Sequence, residues 1–118
     1  MGHESSQASY RRGLASLAIL ALLKHEDMYG YQLVQETARR SGNRLTTQEG
    51  SLYPVLYRLQ EQGYVSDRKI LVGKRMTRVY YHLEPAGEEK LRELVAEYES
   101  ITQGMFQIIR WEETDEQK

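Results

Sequence analysis

A mainly α fold with one small β-hairpin is what the 118-residue sequence predicts. Three features lead there. Apolar residues recur at helical spacing in four separate stretches. The period drops to two in a single stretch, residues 64–83, whose middle is a glycine followed by basic residues. Turn-forming residues at Ser41-Gly42-Asn43, Gly63, Gly73 and Glu84-Pro85 fall between these stretches and divide the chain cleanly.

Met1 to Ser9 is polar and is expected to be mobile. Helix one is predicted from about Arg12 to Lys24. Leu14, Leu17, Ala18, Ala21 and Leu22 form a stripe that Ile19, Leu20 and Leu23 widen. A helix apolar on most sides needs two neighbours, so it belongs between the body and the terminal helix. Tyr10, Arg11 and Arg12 suit either a phosphate contact or a frayed helix start. Helix two is predicted from Met28 to about Ser41, capped by Asp27. It turns Leu33, Val34, Thr37 and Ala38 inward and ends at Ser41-Gly42-Asn43. Arg39, Arg40 and Arg44 cluster there, as phosphate contacts or as a solvated face.

The third helix carries the pattern around which the chain is organised. Leu52, Val55, Leu56 and Leu59 stand at i, i+3, i+4 and i+7, one buried face. Thr46 or Thr47 is placed to cap it, and Glu49 has capping-box spacing from Thr46. Pro54 donates no hydrogen bond and fits only near the start, so regular helix is expected from about Gly50. Gly63 supplies a left-handed C-cap. The outer face offers hydroxyls, phenols and an amide, which suits a plain surface helix or one that reads a groove. Tyr64 to Val72 then reads as a strand, Gly73 to Met76 as a turn and Thr77 to Leu83 as a second strand, with Val79, Tyr81 and Leu83 on one face. Helix, glycine, strand, basic turn and strand make the layout of a winged helix-turn-helix.

The last helix starts with Pro85 in the first turn. Leu91, Leu94, Tyr98, Ile101, Met105 and Ile108 follow in steps of three and four, a heptad seam. So long a stripe exceeds what a small body can cover, which predicts a homodimer. Gly104 is a weak point in this helix, and the acidic tail from Glu112 is expected to be disordered. The chain thus divides into residues 1–83, a winged-helix DNA-binding domain, and residues 84–118, a dimerisation helix with its tail.

Glu49-Gly50-Ser51-Leu52-Tyr53-Pro54-Val55-Leu56-Tyr57-Arg58-Leu59, Gly63-Tyr64-Val65 and Arg78-Val79-Tyr80-Tyr81-His82-Leu83 together resemble the PadR family of bacterial transcriptional regulators. The resemblance covers roughly residues 10 to 110. It departs from the family at the turn Gly73-Lys74-Arg75-Met76, where relatives often carry a proline-containing basic run. Glu84 stands where many have a capping threonine. The resemblance implies a homodimeric repressor of a pseudo-palindromic operator. It also implies a small aromatic effector, bound where Tyr98, Ile101 and Met105 face helix one. Plain dimer packing is the other reading of those three residues.

Charge agrees with a DNA-facing half. The net formal charge of −1 divides into +5 over residues 1–83 and −6 over residues 84–118. Gln48 and Ser51, near the start of helix three, suit base edges or phosphate. Tyr53, Tyr57 and Arg58 lie further along it. Arg58 fits a phosphate contact or an internal ion pair, and the phenols fit partial burial. Lys74, Arg75 and Arg78 belong to the wing and supply charge more than sequence readout. The sequence contains no cysteine, and His3, His25 and His82 lack metal-ligand spacing, so no metal or cofactor is expected. No nucleophile–base pair or phosphate loop points to an enzyme. Arg11-Arg12 before Leu14 to Leu23 imitates a signal peptide without its cleavage site, and no stretch is long enough for a membrane span, so a cytoplasmic protein is expected. The rival reading keeps the fold as a protein–protein adaptor without DNA binding.

Overall fold

The computed structural model describes residues 2–112, with side chains from residue 13 onward. Helix α1 spans Gly2–His25. It begins well before Arg12, and the polar segment expected to be mobile is helical from Gly2. Residues 2–11 hold no proline, and extending a formed helix costs little once it is nucleated. The side chains of Tyr10, Arg11 and Arg12 lie outside the described residues. Ile19, Leu20 and Leu23 are sealed in the core, while Leu14, Leu17, Ala18, Ala21 and Leu22 are only half-buried. The residues expected to widen the stripe are therefore its deepest part. α1 packs on all three other helices and on the sheet, which places it centrally as expected.

Met28 and Tyr29 do not open the second helix. They form a short strand, β1, that pairs antiparallel with the third strand. The second helix, α2, is Gly30–Arg40. The reason for the difference lies at the sheet edge. Without β1, the outer backbone groups of Tyr80 and Tyr81 would lose their ladder partners, and Met28 gains nearly complete burial. Asp27 is correspondingly not a helix cap. Its carboxylate accepts hydrogen bonds from Arg68 at 3.0 Å and is 2.8 Å from His82 Nδ1. One side chain thus clamps both strands of the hairpin to the α1–β1 turn. Within α2, Leu33 and Thr37 are buried, and the Thr37 hydroxyl donates to the Leu33 carbonyl at 2.7 Å, which satisfies it. Gly42 and Asn43, both at positive φ, close the helix: Asn43 N–H reaches the Ala38 carbonyl and Gly42 N–H the Arg39 carbonyl.

Helix α3 spans Glu49–Glu61, with Gln48 at the N-cap and no side-chain cap. The predicted Thr46–Glu49 capping box is absent; the Glu49 carboxylate accepts from the Tyr53 hydroxyl instead. Pro54 sits inside the helix close to its start, where few backbone donors are lost. The predicted buried face is observed, with Leu52, Val55, Leu56 and Leu59 all in the core. Gly63, at φ +79°, ends the element as expected, and Tyr64 N–H donates to the Leu59 carbonyl at 3.0 Å.

Strands β2 (Val65–Val72) and β3 (Met76–Leu83) pair antiparallel from Val65↔Leu83 to Val72↔Met76. The predicted turn shortens by one residue, because Met76 joins β3 and Gly73 takes φ +74°. The sheet order is β1-β3-β2. Helix α4 (Pro85–Ile109) starts with proline in its first turn and Glu84 at the N-cap. Its base is fastened to the hairpin. Glu84 N–H donates to the Tyr64 carbonyl, and the Ser66 hydroxyl donates to the Glu84 carboxylate. Gly87 lies so close to the Tyr64 carbonyl that a Cβ would collide with it. Leu91 joins the core and Leu94 packs against it. Beyond Leu94 the apolar side chains of α4 are exposed. Among the described residues, no helix is long and apolar enough to cross a membrane.

Candidate nucleic-acid interface

Helical geometry divides the outer surface of α3 into flanks. Ser51 and Arg58 lie seven residues apart on one flank, and both are exposed. Glu49 and Tyr53 lie on the other, with Gly50, Pro54 and Tyr57 between. Gln48, exposed, sits at the N-cap, and its carbonyl accepts the N–H groups of Ser51 and Leu52 at 3.0 Å. The amide side chain of Gln48 and the Ser51 hydroxyl make no hydrogen bond among the described residues, at the helix end that suits a groove. Arg58 makes no ion pair among the described residues, so it is open to an anion.

Tyr53 has another role. It is half-buried, its hydroxyl is spent on Glu49 at 3.2 Å, and its ring packs so closely on Gly30 that a Cβ there would strike the phenol oxygen. Tyr53 thus seats α3 on the start of α2. Burial pushes its phenol pKa up, with the Glu49 charge and hydrogen bond and the Tyr57 phenol adding to it. Tyr57 stacks on Tyr53 with ring centres 6.0 Å apart but remains more than half exposed.

Lys74 and Arg75 occupy the hairpin tip and are exposed. Arg78, on β3, lies over the Tyr29 ring with its guanidinium carbon 4.4 Å from the ring centre. Tyr29 also meets Tyr80 edge-on at 5.4 Å. The cation of Arg78 is thereby held in place with no acid partner among the described residues. The arginines near the end of α2 differ. Arg39 and Arg40 both bind Glu36, at 3.1 and 3.0 Å, and hydrogen bonds from Arg40 and Arg39 hold the Glu36 carboxyl below its usual range. Their charge is partly neutralised before any phosphate arrives.

A cleft of about 680 Å³ opens between the start of α2, the Glu49–Tyr57 flank of α3 and β3. Tyr29, Tyr31, Tyr53, Tyr57 and Tyr81 line it, with Gln35, Thr77 and Arg78. Sequence reasoning placed Tyr53, Tyr57 and Arg78 near this face but missed Tyr31, Gln35 and Thr77. Only the β1–β3 pairing brings Tyr29 and Tyr31 beside the wing. Tyr98, Ile101 and Met105 lie far along α4 from this cleft and are 46, 60 and 51 % exposed. Ile108 is exposed with them, whereas Leu91 and Leu94 belong to the chain's own packing.

Known proteins share this fold. The model of the transcriptional regulator PadR-like family matches residues 19–93, which hold everything from the second half of α1 to the base of α4. The transcriptional regulator Rv3488 of Mycobacterium tuberculosis is 34 % identical over 84 residues, covering 71 % of this chain and 75 % of that protein. A PadR family transcriptional regulator from Eggerthella lenta superposes with a TM-score of 0.78 at 28 % identity, over 92 % of this chain and 93 % of its own. Bacillus subtilis PadR, solved in complex with operator DNA, shares the fold at 23 % identity and a TM-score of 0.65; the match spans 70 % of this chain and 46 % of that one. A family match over well over half the chain leads to one conclusion: the chain belongs to the transcriptional regulator PadR-like family.

Proposed function

We propose that this DNA-binding transcriptional regulator works as a homodimeric repressor, in which two copies of α3 enter successive major grooves of a pseudo-palindromic operator. Residues 1–83 form the DNA-reading unit and residues 84–118 the dimerisation unit. The observation that carries the reading is the pairing of two unoccupied surfaces. One is polar and basic, made of Gln48, Ser51, Arg58, Lys74, Arg75 and Arg78. The other is the apolar stripe Tyr98, Ile101, Met105 and Ile108, left exposed on α4. A contiguous apolar stripe of this kind marks an interface rather than a free surface. The operator complex of Bacillus subtilis PadR supports the DNA side of the reading. A protein that acts on operator DNA works in the cytoplasm.

Tyr98, Ile101 and Met105 also suit the wall of an effector pocket, since a phenol and a thioether adapt to planar aromatic guests. An effector acts only if it favours a spacing of the two α3 helices that misfits the operator. Trp111, exposed at the end of α4, reports on it: a planar phenolic compound is expected to quench its emission saturably, and Tyr98→Ala to weaken that quenching. The main test is selection of duplexes from a random pool, with sedimentation of the protein. An enriched inverted repeat and a dimer at micromolar concentration are expected. A monomer, or a pool without enrichment, would defeat the reading.

A further inference from the structure

The wing is tied to the body by an ionic root. β1 and β2 lie at opposite edges of the sheet, with β3 between them. Val65, Tyr81 and Leu83 are buried against the core, so alternation puts Ser66, Arg68, Tyr80 and His82 on the opposite face. Asp27, in the turn between α1 and β1, reaches over that face and divides its carboxylate between the two hairpin strands. Oδ2 accepts from Arg68 on β2 at 3.0 Å, and Oδ1 stands 2.8 Å from His82 Nδ1 on β3. Neither Arg68 nor His82 has another acid partner among the described residues. Other titratable groups around the imidazole are few. Lys24, His25 and Glu26 are exposed on the approach to Asp27. Tyr29 comes from β1 and pairs with Tyr80 of β3. Opposite His82 on β2 is Ser66, whose hydroxyl donates to the Glu84 carboxylate at the base of α4. From the Arg68↔Tyr80 pair to the last pair, Val72↔Met76, the hairpin runs four residues, about 13 Å at the rise of a strand. A rotation of about 10° at the root would carry that last pair through roughly 2 Å, by the same rise per residue.

We infer that Asp27 is a positioning residue for the wing: by gripping Arg68 and His82 together it sets where Lys74 and Arg75 meet the operator backbone, and the charge on His82 sets how firmly. The inference rests on the DNA-binding reading and deepens it. Imidazole is the side chain that ordinarily changes charge between pH 5 and 8. Protonated, His82 gives the carboxylate a second cation and a charge-assisted bond, stronger than a neutral one. Neutral, it keeps an ordinary bond, and only with its proton on Nδ1, because a carboxylate accepts and does not donate. The grip is therefore firmest in mild acid and slackens toward pH 8. The side chains of Arg68 and His82 are 62 and 52 % exposed, so solvent screening limits the gain.

The experiment titrates the full-length protein with its selected operator from pH 5.5 to pH 8 at fixed ionic strength. Binding about twofold to fivefold tighter per subunit at the acid end is expected, the range of a screened surface pair. His82→Gln is expected to flatten the profile. So is Asp27→Asn, although it leaves the imidazole free to titrate. A cation on His82 that merely attracted DNA would keep the profile in Asp27→Asn, and that result overturns the positioning role. A second readout combines Asp27→Asn with Lys74→Gln/Arg75→Gln. Alone, Asp27→Asn is expected to weaken binding; once the tip cations are gone it is expected to cost nothing more. A purely structural loss would weaken both backgrounds alike. Thermal melts check the fold, and if Asp27→Asn melts early, His82→Gln, which replaces a half-exposed side chain, carries the same cycle. A flat wild-type profile, or equal losses in both backgrounds, sinks the inference while leaving DNA binding in place. A wild-type protein that selects no duplex removes the DNA reading and the inference together.

Discussion

Tyr81 is a tyrosine that the core has taken in. It is 3 % exposed, on the inner face of β3. Burial pushes its phenol up to about 12, with Tyr53, Tyr57 and Asp67 adding to the shift. A folded-state pKa above the unfolded value of about 10 means that folding holds the proton more tightly. This stability is complete below about pH 10 and is lost as pH rises toward 12, by about 2–3 kcal/mol over two units. Urea melts at pH 9, 10.5 and 12 are expected to show that fall, and Tyr81→Phe to flatten it. A variant falling as steeply as wild type would assign the loss to other groups. Residues on the DNA face separate by charge in the same way. Removing Lys74 and Arg75 is expected to lower the salt slope of binding by about two per subunit. Gln48→Ala with Ser51→Ala is expected to leave the slope and cost roughly 1–3 kcal/mol of discrimination between operator and scrambled duplex.

Two glycines within α4 make opposite predictions. A Cβ at Gly87 would collide with the Tyr64 carbonyl and the Leu83 side chain, so Gly87→Ala is expected to cost about 3 kcal/mol, the upper end for overpacking. At Gly104 a Cβ meets nothing within 4 Å among the described residues, and Gly104→Ala is expected to stabilise by up to about 1 kcal/mol. Denaturant midpoints of both variants decide the matter; equal shifts would contradict the close approach at Gly87. Helices with strong apolar spacing were legible at this scale. Leu52, Val55, Leu56 and Leu59 could be read directly, and so could the Gly63 cap. β1 could not, because two residues carry no period and their pairing depends on an edge formed some fifty residues later. The capping box failed because Gln48, not Thr46, is the residue where the backbone enters the helix. Asp27 looked like a cap because its role needs Arg68 and His82, which only the folded hairpin brings near. The cleft was invisible for the same reason: Tyr31 and Thr77 meet through tertiary structure alone.

For the molecule as a whole, the heptad steps of α4 were legible, but not where the chain's own core ends along them. The core takes in Leu91 and packs against Leu94, so the free stripe starts near Tyr98. Ile101→Asp with Ile108→Asp therefore places charge only on side chains exposed in the single chain, and a folded monomer with weakened operator binding is expected from sedimentation and titration. A dimer that survives both charges would locate the contact elsewhere. The fastening of α4 at its base gives this geometry a mechanical meaning. Glu84, Ser66, Gly87 and Tyr64 join the helix to the hairpin without an intervening linker. A helix of 25 residues is about 37 Å long. In the proposed dimer, a tilt of about 5° where two such helices cross would carry the far end through about 3 Å, by the same rise per residue. α4 is thus a stiff lever whose short arm is the hairpin itself, and a small torque at Ile108 is delivered to the wing as displacement rather than lost in a joint.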